Sequence, residues 1–227
     1  MDYVVLDLEW NQASDSRDAR NRLLTFEIIE IGAVKLNSRM EIVDTFQELI
    51  RPQVYDTMHH ITEKLIGIHM KDLSGCRTFD VVMKDFLAWC SEDFMFGTWG
   101  PQDLTELQKN MRFFGMEPLG KGPVRFYDIQ KLFSIAYEDQ KVRRSLEYAV
   151  DYLQIPKDIP FHRAISDAVY TARVFQMIKD PIALQRVSFD TFQLPENHRS
   201  EVHVVFDNYA DLDSELSYDN LKDGQAA

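Results

Sequence analysis

Cysteine is nearly absent from this chain of 227 residues: there are two, Cys76 and Cys90. They are too few for a disulfide framework and lack the paired spacing of a metal knuckle. They read as free thiols in a reducing compartment, and a cytoplasmic location is the expectation. Long apolar runs are missing as well. Nothing reaches the roughly 18 residues that a membrane-spanning helix needs, and Met1-Asp2-Tyr3 opens a strand rather than a signal peptide. Positive charge is scarce: 25 Lys and Arg against 37 Asp and Glu leave a net charge of −12. Bulk electrostatics therefore disfavour tight, extended binding to a duplex polyanion. The deficit is uneven, because the stretch from Arg186 onward holds three basic and nine acidic residues.

What the chain has in quantity is apolar surface. Hydrophobic residues make up 45%, among them 15 Phe, 9 Tyr and 3 Trp, enough for the core of one ordinary domain. Tyr3 to Trp10 reads as a buried central strand. Asn11 to Asn21 reads as a polar loop. Phe26 to Leu36 and Glu41 to Ile50 form an expected antiparallel hairpin around Asn37-Ser38. Helices are expected over Thr62–Ile68 and Thr78–Cys90, then a strand over Asp93–Thr98 with Pro101 at the first turn of the next helix. Phe113 and Phe114 read as core residues of that helix. Val124–Tyr127 suggests a strand followed by a helix capped by Asp128, and Ser145 caps another. Arg163–Ile178 completes the set. Strands first, then strand–helix alternation, describe an α/β layer with a mixed sheet. The domain is expected over 1–181. Residues 182–227 form an acidic C-terminal extension, in which Val202–Phe206 is a candidate docked strand and any protein partner is unknown.

Asp7 and Glu9 are two apart on an otherwise apolar strand, so a period of two points both carboxylates to one face. Left unpaired there, they would cost several kcal/mol. Oxygen ligands of this kind suit Mg²⁺ or Mn²⁺, and a bound dication would reverse the local field despite the chain's acidity. Spacing alone says little, since Asp213-Ser-Glu215 repeats it in a solvated tail. Asp103 lies in the first turn of a helix, where an acid also serves simply as a dipole partner. His162 and Asp167 open the last helix about one and a half turns apart. No other histidine has an aspartate five residues on.

Taken in order, Asp7-x-Glu9, the isolated Asp103 and His162-x4-Asp167 resemble the DEDDh branch of the DnaQ-like exonucleases. Glu27-Ile-Ile-Glu-Ile-Gly-Ala-Val34 is similar to that family's second strand. Ser145-Leu-Glu147, then Leu153-Gln-Ile155, match its usual approach to the last motif. Thr98-Trp-Gly-Pro-Gln-Asp103 resembles the KapD-type and RNA-trimming Eri-type members. The likeness runs from about Tyr3 to Met177. Two departures stand out: Trp10 occupies a place where many members have Thr, and Glu63-Lys64 replaces a glycine of the short helical motif after the third strand.

The resemblance implies an RNase H-like fold, with a five-stranded mixed sheet whose second strand is antiparallel, flanked by helices. It implies a 3′→5′ exonuclease in which Asp7, Glu9, Asp103 and Asp167 hold two Mg²⁺ or Mn²⁺ ions and His162 is the general base. The products would be nucleoside 5′-monophosphates. Trp10 and Asn11 are candidates for contacts with the terminal nucleotide, and Arg17, Arg20 and Arg22, or Lys141, Arg143 and Arg144, for contacts with the backbone. Single-stranded 3′ ends are the expected partner, RNA ahead of DNA. A DNA proofreading or repair enzyme, an oligoribonuclease and a non-catalytic binding module are the competing readings.

Overall fold

The structure is a computed structural model that describes residues 1–15, 17–18, 20, 23–90, 92–120, 124–139, 141–178 and the backbone of 190–192. Val202–Phe206, Arg22 and most of the acidic extension lie outside these residues. The unbroken aliphatic run near the start forms β1 (Asp2–Asn11), which pairs antiparallel with β2 (Glu27–Leu36) and parallel with β4 (Phe94–Thr98). β3 (Ile42–Leu49) continues the hairpin on the far side of β2, and β5 (Val124–Asp128) lies parallel to β4. The five expected strands are therefore present in a mixed sheet with an antiparallel second strand. A sixth extends it: β6 (Asp190–Phe192), antiparallel to β5, completes the order β3-β2-β1-β4-β5-β6. That strand lies past residue 181, in a segment whose sequence pattern gave no strand signal there.

Alternation along β1 sends its side chains into two cores. Val4, Leu6 and Leu8 join Phe79, Val82, Met83 and Phe86 of α3 (Phe79–Cys90) and Leu104, Leu107 and Met111 of α4 (Gln102–Phe113). Val5 joins the opposite core with residues of α5 (Ile129–Tyr137), α6 (Leu146–Tyr152) and α7 (Ala164–Ile178). Asp128 and Ser145 cap α5 and α6 as expected, accepting from Lys131 N and Tyr148 N. Phe114 packs against the first core, whereas Phe113 is 39% exposed and meets the Phe114 ring edge-on, a correction to its expected burial. Between β3 and α3 run α1 (His60–Ile66) and α2 (Met70–Leu73). A glycine does punctuate this segment, at Gly67 rather than at Glu63-Lys64; its left-handed φ of 67° closes α1.

Gly32 on β2 has a different job. A methyl group there would sit inside the peptide joining Ala164 to Ile165, so α7 begins flat against the sheet. Gly32 is the register partner of Asp7. The closeness of helix and sheet therefore brings the start of α7 onto the carboxylates of β1. Gly32→Ala is expected to cost about 3 kcal/mol, the upper part of the range for overpacking. A urea melt checks the magnitude, and loss of nuclease activity in the fraction that stays folded checks the placement of α7.

Candidate active site

Asp7 and Glu9 lie on the face of β1 that carries Tyr3 and Val5 further back. Toward the carboxyl end of the strand this face passes from apolar core to an acidic recess. Parallel pairing of β1 with β4 stops at Val5 and Gly97, so the strands part beyond that point. α4 enters the opening. Asp103, 6% exposed, uses Oδ1 to accept from the N–H of Leu8 at 3.1 Å. This satisfies a strand donor that the ladder has abandoned. The position is the carboxyl end of parallel strands, where α/β sheets characteristically leave a crevice.

The fourth acid comes from α7. Asp167 stands in its first turn, and both carboxylate oxygens accept from the backbone N–H of His162 at 3.3 Å. Asp7, Glu9 and Asp167 each place an oxygen within 4.8 Å of the others. His162 adopts φ 66°, a left-handed conformation tolerated by few residues other than glycine. The preceding loop is fixed by Phe161 stacked on Tyr170 with ring centroids 4.4 Å apart. The Tyr170 hydroxyl donates to Ile159 O at 2.6 Å and accepts from Ile159 N at 3.1 Å.

Burial and mutual repulsion dominate the electrostatics. Burial first, then the charges of Asp103, Asp167 and Glu9, hold Asp7 well above the ordinary carboxylate range. Glu9 is raised in the same way by burial and by Asp167 and Glu30, against a weaker opposing pull from Arg163. Burial pushes Asp103 up to about 7 against the donor from Leu8, and Asp167 up to about 7 against the donor from His162. Burial also holds the His162 imidazole below the usual histidine value, with Glu147 opposing. Crowded acids that resist ionisation, offering closely spaced oxygens, fit a hard divalent cation.

The two residues expected at the terminal nucleotide both make contacts within the protein. The ring of Trp10 turns to the other side of the strand and packs 5.5 Å from that of Phe26. Asn11 is fully buried; its amide donates to Thr57 O at 2.9 Å and accepts from His59 N at 2.8 Å. It clamps the loop before α1. Arg17 pairs with Asp15, and Arg20 with Asp18 and Asp56. Arg144 pairs with Glu138 and lies over the Tyr148 ring, while Lys141 donates its N–H to Asp139. Sequence reasoning passed over Glu30, fully buried and opposite Glu9 on β2. The signal was available: it is an acid within Ile28-Ile-Glu-Ile31, the same anomaly that marks Asp7.

This sheet and its acid cluster define a nuclease domain of RNase H-like architecture. Residues 4–175 match the family model of the RNase T exonucleases, and the chain belongs to that family. Among curated proteins it is 24% identical over 171 residues to 3′-5′ exoribonuclease 1 of Homo sapiens, covering 70% of this chain and 48% of that protein. The mouse counterpart is 23% identical over 171 residues, covering 70% and 49%. The chain thus spans about half the length of the curated relatives it matches. The nuclease domain of 3′hExo, a DEDDh family member bound to rAMP, superposes with a TM-score of 0.67 at 20% identity, over 86% of this chain and 97% of that one. S. pombe Pop2p in its Mg²⁺- and Mn²⁺-bound form gives 0.57 at 20% identity, over 78% and 82%. Among the described residues, no helix is long and apolar enough to cross a membrane.

The raised carboxyls set a sign for stability. Their folded values near 7 exceed an unfolded value of about 4. Between those limits the folded state binds more protons than the unfolded one, so metal-free stability falls as pH rises through this window. The melting temperature in EDTA is expected to drop from about pH 4.5 toward pH 7 at this site. Saturating Mn²⁺ should raise it most at the upper end, and a shift from Mn²⁺ that does not depend on pH would contradict the assignment.

Proposed function

We propose that this domain hydrolyses single-stranded nucleic acid from its 3′ end, RNA in preference to DNA, releasing nucleoside 5′-monophosphates. The convergence of Asp7, Glu9, Asp103 and Asp167 with His162 at one sheet end carries the reading. Names of relatives support the preference for RNA: 3′-5′ exoribonuclease 1, and a structure described as 3′-end specific recognition of histone mRNA stem-loop by 3′-exonuclease. The catalytic unit is assigned to residues 1–181, with 182–227 as an acidic extension.

Asp7, Glu9, Asp103 and Asp167 are the residues that would hold two Mg²⁺ or Mn²⁺ ions. When bound, such ions supply charge neutralisation of the scissile phosphate and its oxyanions and lower the pKa of water. The chain's own contribution is to orient and to move a proton. Burial lowers the pKa of His162 and so favours its neutral form, in which a ring nitrogen can accept the proton of the attacking water. Its left-handed backbone, tied through its N–H to Asp167, holds the residue at the edge of the acid cluster. The phosphorus–oxygen bond to the 3′-oxygen breaks as the water oxygen bonds to phosphorus. Inversion at phosphorus and a 5′-phosphate on the released nucleotide follow.

The test uses 5′-labelled single-stranded RNA and DNA of one sequence with Mg²⁺, Mn²⁺ or EDTA. A metal-dependent ladder shortening from the 3′ end, faster on RNA, is expected. No ladder from a folded protein would instead favour a binding module. Asp7→Ala should abolish turnover; appreciable activity at saturating Mg²⁺ would remove Asp7 from the metal set. His162→Ala should lower kcat by about 10² to 10⁴ with little change in KM. A raised KM with kcat intact would make it a binding residue.

A further inference from the structure

Glu30 is a further acid beside the cluster, and the reaction scheme above gives it no task. It lies opposite Glu9 in the β1–β2 register and is fully buried. Its charge adds to the repulsion felt by Asp7, Glu9 and Asp167. An apolar side chain at this place would relieve the site. Moreover, a buried ion pair is often no more stabilising than an apolar pair of its shape. What Glu30 does hold is Arg163. The guanidinium Nε donates to Oε1 and Oε2 at 3.2 and 3.0 Å, and Nη2 donates to Oε1 at 2.8 Å. From β3, Gln47 Nε2 adds a bond to Oε1 at 3.0 Å.

Arg163 stands between two constrained points. Before it comes His162, at φ 66° with its N–H on Asp167. After it comes Ala164, seated on Gly32. The forked bonds therefore fix the short segment that carries the base, and they fix it to the strand next to Glu9. We infer that Arg163, Glu30 and Gln47 form a latch that orients His162 toward the acids, with Arg163 as a positioning residue for the proposed hydrolysis. This rests on the functional reading above. Two of the latch residues, Gln47 and Arg163, also border a cavity of about 470 Å³ lined by Leu49, Cys76 and Arg77, so the guanidinium can be reached from solvent.

The experiment compares the full-length wild type with Arg163→Met, and with the double variant Arg163→Met, Glu30→Gln. The double variant leaves no unpaired buried charge and should stay folded where the single one does not. In the folded variants kcat on labelled RNA is expected to fall by roughly ten- to a hundredfold, the cost of about an ångström of misplacement. KM and the Mn²⁺ dependence should stay within about twofold of wild type, because substrate and metal contacts are intact. In Arg163→Ala, added guanidinium ion should restore part of the lost kcat through the open cavity and should not accelerate the wild type. Unchanged kcat overturns the latch. So does a loss of kcat matched by lost Mn²⁺ affinity, or the absence of guanidinium rescue. A spectroscopic readout separates this failure from failure of the nuclease reading. In ¹⁵N-labelled protein the His162 imidazole signal should shift or broaden when Arg163 is replaced. If the wild type degrades nothing yet that signal moves, the nuclease reading fails and the latch stands. If the signal is unmoved, the latch fails whatever the activity.

Discussion

Repulsion among buried carboxylates is the constraint around which this domain is organised. Asp7 and Glu9 point the same way because a strand repeats every two residues, and the Arg163 guanidinium opposes the repulsion on Glu9 only weakly. Asp103 and Asp167 are then delivered to the same recess by two helices. Backbone N–H groups stabilise the charge of both acids, that of Leu8 for Asp103 and that of His162 for Asp167. Those bonds do not outweigh burial, since both groups remain near 7. On the proposed reading the compensating charge would come from a divalent cation.

The rest of the fold supplies rigidity against that repulsion. β1 is gripped on both faces by apolar side chains, with one core under α3 and α4 and the other under α5, α6 and α7. Its end is pinned from three sides. Asn110 of α4 donates to Phe26 O and accepts from Ile28 N. Glu27 accepts from the N–H groups of Gln53, Val54 and Tyr55. Asn11 clamps Thr57 and His59. These buried polar groups are all satisfied by backbone, which makes them specific braces rather than liabilities. They fix the loops around the recess without placing a further charge inside it.

The sequence made the sheet and the acids legible because both obey short-range rules. Strand alternation carried Asp7 and Glu9, and helix caps carried Asp128 and Ser145. The spacing of His162 and Asp167 foretold a loop and a first helical turn on one site. What escaped depended on long-range contact. Asn11 follows the acids directly, so proximity suggested a substrate contact, yet its partners are 46 and 48 residues away. Trp10 packs on Phe26, where the register shift between Glu9 and Trp10 falls. Glu30 hides in a strand that reads as core, and its partner Arg163 lies 133 residues on. β6 has three residues in a segment of weak periodicity, and only edge pairing with β5 defines it.

Burial moves the acids and the histidine in opposite directions, and the two shifts have one consequence. Burial pushes the carboxyls of Asp103 and Asp167 up to about 7 and lowers the imidazole of His162. Both shifts favour the uncharged form. On the proposed reading a divalent ion would have to displace the protons held by the carboxyls, so its affinity would rise with pH. His162 lies outside the proposed ligand set and would take no part in that exchange. One physical cause, removal of charge from water, thus moves both halves of the site toward their uncharged forms.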